Sequence, residues 1–408
     1  SRIERCVHLQ CCRSRGYVPM RRFLVISNLV FVVVGVATTM LGPLLPIHAA
    51  RFGLSDQQLG WLFLAQFFGG FAGSIASTEL SKRLGLRATI RLGLAVTALG
   101  GLGTTLPMLS VVLASVAAYG VGIGFCSAPI TAAVSEASPT HRAGALNVLN
   151  FSWTVGAIVT PPFLTRLCAA PSIGFVGAMV AVATALALSA VAFPKTLESS
   201  SEVADHNSLS SGLLRLVIAT GAVIFIYVGI ENGVAGWLPT LALRVHQLSP
   251  ESRAMLQGTF WTALLAGRLT APLFLRSRSE QSVLRAAIVL AIAGTVGIIA
   301  AHGPFLFAAV FVTGFAFAPI FPTTIAYLSR HLGGQSGARL GWMFASAALG
   351  GAFVPYCVGT VSSMTGKLIL GFSTLLVAEC ALLCANLLSA VQGRRLETSV
   401  QTAETVTS

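Results

Sequence analysis

Long apolar runs, broken by short polar segments, cover almost the whole chain. They can be drawn at 23–49, 58–79, 89–107, 109–134, 144–168, 172–194, 216–243, 257–275, 284–301, 304–329, 338–363 and 367–391. Each is close to the roughly 20 residues that cross a hydrocarbon core as a helix. Lipid cannot hydrogen-bond exposed backbone, so helices are the form such runs take. The pattern predicts an all-α membrane protein with twelve transmembrane helices.

The first and seventh spans are twins. Phe31–Pro46 reads FVVVGVATTMLGPLLP and Phe225–Pro239 reads FIYVGIENGVAGWLP; Phe31, Val34, Gly35, Gly42 and Leu44 return 194 positions later as Phe225, Val228, Gly229, Gly236 and Leu238. The frame then holds without a gap: Leu54 and Ser55 return as Leu248 and Ser249, Gly73 as Gly267, Arg91 as Arg285, Gly156 as Gly350 and Pro161 as Pro355. Two six-helix halves in the same orientation are the parallel-repeat plan of one large transporter class.

Polar segments mark the boundaries. The expected parts are an N-terminal extension 1–19, a first half 20–194, a cytoplasmic linker 195–214, a second half 215–391 and a tail 392–408. The linker contains the Ser-rich KTLESSSEVADHNSLSSG, and the short polar tail is expected to be disordered. Met20-Arg21-Arg22 opens the first span well, so Met20 is the expected native start. A cleaved leader ending near His48-Ala49-Ala50 is the rival reading; recurrence of the same helix inside the chain argues against it.

Composition agrees with a membrane setting: 55% of residues are hydrophobic and only 10% charged, where a soluble domain has about 25% charge. The net charge of +13 would suggest nucleic acid if it were clustered. With the N-terminus placed in the cytoplasm, however, twenty Lys and Arg fall on that side. Five (Arg51, Arg166, Arg244, Arg253, Lys367) fall outside, and Arg268 lies within a span. That asymmetry is the positive-inside rule, and it predicts an inner (cell) membrane protein with both termini cytoplasmic. Nucleic acid is therefore not an expected partner; the lipid bilayer is. The eight cysteines show neither metal-site nor secreted-disulfide spacing. No cofactor is expected, and a monomer is the expected state.

Two six-helix repeats, a polar central loop and a basic first cytoplasmic loop resemble the major facilitator superfamily from about Met20 to Arg395. Lys82-Arg83-Leu84-Gly85-Leu86-Arg87 is similar to that family's signature loop, G-x-x-x-D-R-x-G-R-R: Arg83, Gly85 and Arg87 fit, while Lys82 stands at the Asp and Thr78 at the first Gly. YVGIENGVAGWLP in the seventh span, and GPLLP followed by FGLSDQQLG in and after the first, are more similar to the fucose-permease branch of sugar symporters. The resemblance implies the major facilitator fold and alternating access. It also implies proton-coupling acids in the first and fourth spans, which this chain lacks. The middle of the first has Ala37, Thr38 and Thr39, and the middle of the fourth has Tyr119, Gly120 and Gly122, with Glu136 at its end.

The repeat also sorts candidate chemistry. Residues present in both halves serve the fold, whereas polar residues in one half only are better candidates for solute or ion contact. Glu231 replaces Ala37, Asn232 replaces Thr38, Tyr227 replaces Val33 and Arg268 replaces Ser74. A carboxylate at bilayer depth is costly and usually marks a pathway, though it can also be a structural group tied to a neighbouring helix. Tyr227 lies four residues before Glu231 and so shares its helix face. Glu231 and Arg268 are the candidate ion-coupling residues, for a proton or sodium, and could form a buried pair. Asn147, Asn150 and Thr154 form a one-sided polar stripe beside Trp153 in the fifth span; amides both donate and accept, as sugar hydroxyls do, but they also join helices. The candidate solute contacts are thus Glu231, Asn232, Tyr227, Asn147, Asn150, Trp153 and Thr38. Arg83, Arg87, Glu136 and Arg142 are candidate gating charges. Trp237 and Trp261 are read as an interfacial belt, and Glu379 in the last span as peripheral.

These features predict a secondary active transporter for a small polar solute, with a sugar as the leading class. An exporter of amphipathic or drug-like compounds is the alternative, though the Gly-Pro pattern of exporters appears only loosely in Gly156 and Pro161-Pro162. No G-x-x-x-x-G-K-[ST] cradle is present for ATP-driven transport. A membrane sensor would need a soluble signalling domain that the short linker and termini do not supply. A membrane enzyme would need clustered acids or histidines, and His48, His141, His206, His246, His302 and His331 are scattered along the sequence.

Overall fold

The structure, a computed structural model, describes residues 20–138, 142–194, 211–332 and 337–407. The N-terminal extension and most of the linker lie outside the described residues. Fourteen helices fill the rest: α1 (Met20–Thr39), α2 (Leu41–Phe52), α3 (Asp56–Leu84), α4 (Leu86–Gly103), α5 (Leu109–Ala137), α6 (Arg142–Ala169), α7 (Gly174–Ala192), α8 (Ser211–Arg244), α9 (Pro250–Leu275), α10 (Glu280–Ala300), α11 (Pro304–Phe317), α12 (Ile320–Leu332), α13 (Gly337–Thr365) and α14 (Leu368–Thr407).

They make twelve spans, because α1–α2 and α11–α12 are each one span with a break. Both breaks have a proline cause. Pro43 has no N–H for the Thr39 carbonyl, and Pro319 has none for that of Phe315, so the ladder lapses at Met40 and at Ala318. Among the described residues, nine spans meet the length and hydropathy of a membrane crossing taken singly. α4 begins with Arg87 and Arg91, and α9 carries Glu251, Arg253 and Arg268, which dilutes their hydropathy. The tail departs from expectation: α14 runs on as helix to Thr407, where the sequence suggests disorder.

The repeat is visible as backbone. At the start of α3, Ser55 and Gln58 form a reciprocal capping box: Gln58 N–H donates to Ser55 Oγ at 3.3 Å and Ser55 N–H to Gln58 Oε1 at 2.9 Å. At the matching start of α9, Ser249 Oγ accepts from Ser252 N–H at 3.2 Å. The turn before α3 uses Gly53 at φ 62°, and its counterpart before α9 is Gln247 at φ 51°, the only non-glycine with positive φ among the described residues. Position in the repeat forces a left-handed turn there even without glycine.

Close helix crossings repeat as well. A Cβ on Gly35 would overlap the carbonyl of Trp153, and one on Gly156 that of Val32, so α1 and α6 cross with backbones in contact. The same crossing recurs between α8 and α13, where a Cβ on Gly350 would overlap the Phe225 carbonyl and one on Gly229 would meet the Gly350 carbonyl.

The chain divides into two compact units that do not follow the sequence halves. One comprises residues up to Thr38, Gly69–Ala157 and Leu167–Glu202; the other comprises Thr39–Phe68, Ile158–Arg166 and everything from Val203. The second unit therefore joins the first half's α2 and parts of its α3 and α6 to the whole of the second half. In it, Thr39 Oγ1 donates to Thr160 Oγ1 at 3.1 Å, Gly42 sits against Gln257 and Ala235, and the Phe63 ring packs tilted against Trp237 with centroids 6.1 Å apart.

Candidate functional site

Within α8, Glu231 and Tyr227 lie one turn apart and both are buried, 8% and 1% exposed. The Tyr227 hydroxyl donates to Glu231 Oε2. Arg268, one helix away in α9, stands close enough for its charge to act on both groups. Aromatic rings close the site: Phe317 meets Tyr227 edge-on at 5.9 Å, and Phe260 meets Phe317 at 6.1 Å. A carboxylate and a phenol are thus held together in an apolar wall, with a guanidinium carried by the neighbouring helix α9. Low dielectric strengthens the Tyr227–Glu231 hydrogen bond, and losing one partner leaves the other buried without it.

The remaining sequence candidates fall into distinct settings. Asn232 turns its amide back to the Val228 carbonyl at 2.8 Å, and Thr38 bonds the Val34 carbonyl at 2.7 Å. Asn147 and Asn150 are exposed on α6, Trp153 is half-buried beside them, and Thr154 is buried and bonds the Asn150 carbonyl at 2.8 Å. Thr38, Asn147, Asn150 and Trp153 belong to the first unit, while Glu231, Asn232, Tyr227 and Arg268 belong to the second.

Among the gating candidates, Arg83 pairs with Glu79 at 2.8 Å on an exposed helix face. Arg87 Nε donates to the Phe193 carbonyl at 3.1 Å, and Arg91 reaches the Val191 carbonyl at 2.8 Å. Two arginines thereby satisfy the carbonyls at the end of α7, where a helix dipole favours positive charge. Glu136 is exposed near the end of α5. The Arg142 side chain lies outside the described residues.

Two expectations need correction. Trp237 is no interfacial anchor: it is fully buried, and its indole N–H donates to the Pro355 carbonyl at 2.9 Å. Trp261 is likewise buried, at 2% exposure. Their position near a span end suggested a belt, but helix packing covers both rings. Glu379 is also fully buried, accepting from the Thr295 hydroxyl at 2.7 Å.

Sequence reading missed a clasp in the second unit. Asp56, in the first turn of α3, accepts from Arg244 Nη1 on one carboxylate oxygen at 2.5 Å and from the Ser362 hydroxyl on the other at 2.5 Å. Next to it, Gln57 N–H donates to Ser363 Oγ at 2.8 Å. A Cβ on Gly359 would overlap the Asp56 carbonyl, so backbone meets backbone there. The start of α3, from the first half, is thereby tied to the ends of α8 and α13, from the second. Asp56 and Arg244 lie 188 residues apart, and no local pattern links them.

These features can be set beside known proteins. The sequence matches the family profile of the Major Facilitator Superfamily over residues 28–355.

The chain belongs to the major facilitator superfamily.

It is accordingly a multi-pass membrane transporter with that family's fold. Among curated relatives it is similar to the Saccharomyces cerevisiae protein "Bypass of stop codon protein 6", 24% identical over 396 residues that cover 86% of this chain and 79% of the yeast protein. Among solved structures it is similar to the E. coli fucose:proton symporter FucP, with TM-score 0.61 and 19% identity over 90% of this chain and 98% of that one. It is also similar to a D-xylose–proton symporter, with TM-score 0.74 and 14% identity over 90% and 96%. At these identities the structural likeness speaks for the fold.

Proposed function

We propose that this superfamily member is a secondary active transporter of a small polar solute, of the sugar class, coupled to a proton. The observation that carries the reading is the buried Tyr227–Glu231 pair under the influence of Arg268. None of the three has a polar counterpart of its kind in the first half, so the group is not a requirement of the repeated fold. Tyr227 and Glu231 offer donors and acceptors to hydroxyls, while the Phe317 ring offers an apolar face for a sugar's C–H surface. Uptake of a proton by Glu231 would weaken its hold on Arg268, which links protonation to helix position.

With the termini in the cytoplasm, the Asp56–Arg244–Ser362 clasp lies at the external face. It is then a tie that must part for that face to open, with Arg83, Arg87, Glu136 and Arg142 at the opposite face. The sugar:proton symporters with the same fold support this class. The aromatic wall of Phe260 and Phe317 favours a second reading, an exporter of amphipathic compounds.

The test is uptake of a radiolabelled hexose and pentose panel into proteoliposomes, with and without an inward proton or sodium gradient. Proton-driven accumulation that Glu231→Gln abolishes, with solute exchange retained, is the expected result. If no sugar moves under any gradient, the sugar reading fails and the exporter reading takes its place.

A further inference from the structure

Two histidines that are far apart in sequence meet in space. α8 ends at Arg244, and the following turn carries His246; α10 ends at Ala300, and the following turn carries His302. Left-handed residues set both turns, Gln247 at φ 51° and Gly303 at φ 57°. The result is a pair of imidazoles with ring centres 5.4 Å apart and planes at 65°.

The pair has an unexplained feature. Both His246 ring nitrogens are buried, and neither has a hydrogen-bond partner among the described residues. Orphaned buried polar atoms of this kind are costly and call for a bound water or ion. His302 is exposed, so the pair is open to solvent on one side.

We propose that His246 and His302 form a binding site for a divalent transition-metal ion of the zinc class. A tetrahedral ion bonded to one nitrogen of each ring at about 2.0–2.1 Å would set the ring centres about 5 Å apart. The observed 5.4 Å is close to that separation. Metal ligation requires the neutral imidazole. Nitrogen ligands select zinc, copper, nickel and cobalt over magnesium or calcium.

Among the described residues no third histidine, cysteine or carboxylate joins the pair. Water completes the shell, which makes the site exchangeable and not a folding centre. Its position gives it a role. Arg244, two residues before His246, holds Asp56. An ion tying the α8–α9 turn to the α10–α11 turn restrains the helix end that carries the clasp, and so slows its opening.

The test uses tag-free full-length protein and two probes, zinc chloride by equilibrium dialysis and cobalt(II) by its d–d absorption. About one ion per chain is expected with each probe. His246→Gln and His302→Gln should each remove that ion, and the double substitution should remove no more. His48→Gln, a buried histidine in α2, serves as the control. His302 is exposed, so its substitution leaves folding intact and decides the matter alone. No bound ion in the unsubstituted protein, or zinc and cobalt binding that survives His302→Gln, overturns the site. The readout does not depend on which solute the protein moves.

Discussion

Asp56→Asn isolates the charge of the clasp. The asparagine keeps an acceptor for the Ser362 hydroxyl and nearly the same shape, but it removes the ion pair with Arg244. The Asp56 side chain is 9% exposed and that of Arg244 is 38% exposed. The pair therefore stands between exposed ion pairs, worth about 0.2–1 kcal/mol, and buried ones, whose disruption costs about 3–5 kcal/mol. A value of about 2 kcal/mol corresponds to a roughly 30-fold shift between clasped and unclasped states. Gln57→Cys with Ser363→Cys reports the clasped state, because Gln57 N and Ser363 Oγ are only 2.8 Å apart. The pair is introduced with the eight native cysteines replaced, and its initial oxidation rate is measured in liposomes. The rate should fall with Asp56→Asn and equally with Arg244→Gln, and the double substitution should fall no further than either single one. Unchanged rates in both single variants, or losses that add in the double, would show that the charge pair does not hold these helices together.

Three further expectations concern the fold. Gly350→Ala would drive a methyl into the Phe225 carbonyl and should cost about 1–3 kcal/mol or more, seen as a lower unfolding temperature. Gly258→Ala, where a Cβ meets nothing within 4 Å, should leave that temperature unchanged or raise it. Gln247→Gly relieves a left-handed non-glycine residue and should stabilise by about 0.5–1 kcal/mol; a drop in unfolding temperature would instead mean that the Gln247 side chain contributes contacts.

What the sequence determined by itself is whatever depends on local chain chemistry and its repetition. Hydropathy over about 20 residues defines a span because the bilayer is the solvent. Proline at 43 and 319 breaks the ladder wherever the helix goes. Ser55 and Ser249 begin helices through bonds to residues three positions on. A 194-residue frame of glycines exposed the two halves, and the crossings at Gly35–Trp153 and Gly229–Gly350 use those same glycines. Even the Tyr227–Glu231 pair was legible, since four residues make one helical turn.

Tertiary structure alone decided what lies between distant segments. Trp237 near a span end reads as an interfacial residue until helix packing places Phe63 and the Pro355 carbonyl against it. Asp56 and Arg244 each read as ordinary helix-end charges, favourable to the local dipole. Only the assembly of α3, α8 and α13 makes them one clasp. His246 and His302 count as scattered in sequence and stand 5.4 Å apart in space. Periodicity encodes which face of a helix is apolar; the partner that meets that face is chosen by packing among all the helices at once, and a one-dimensional pattern does not carry that choice.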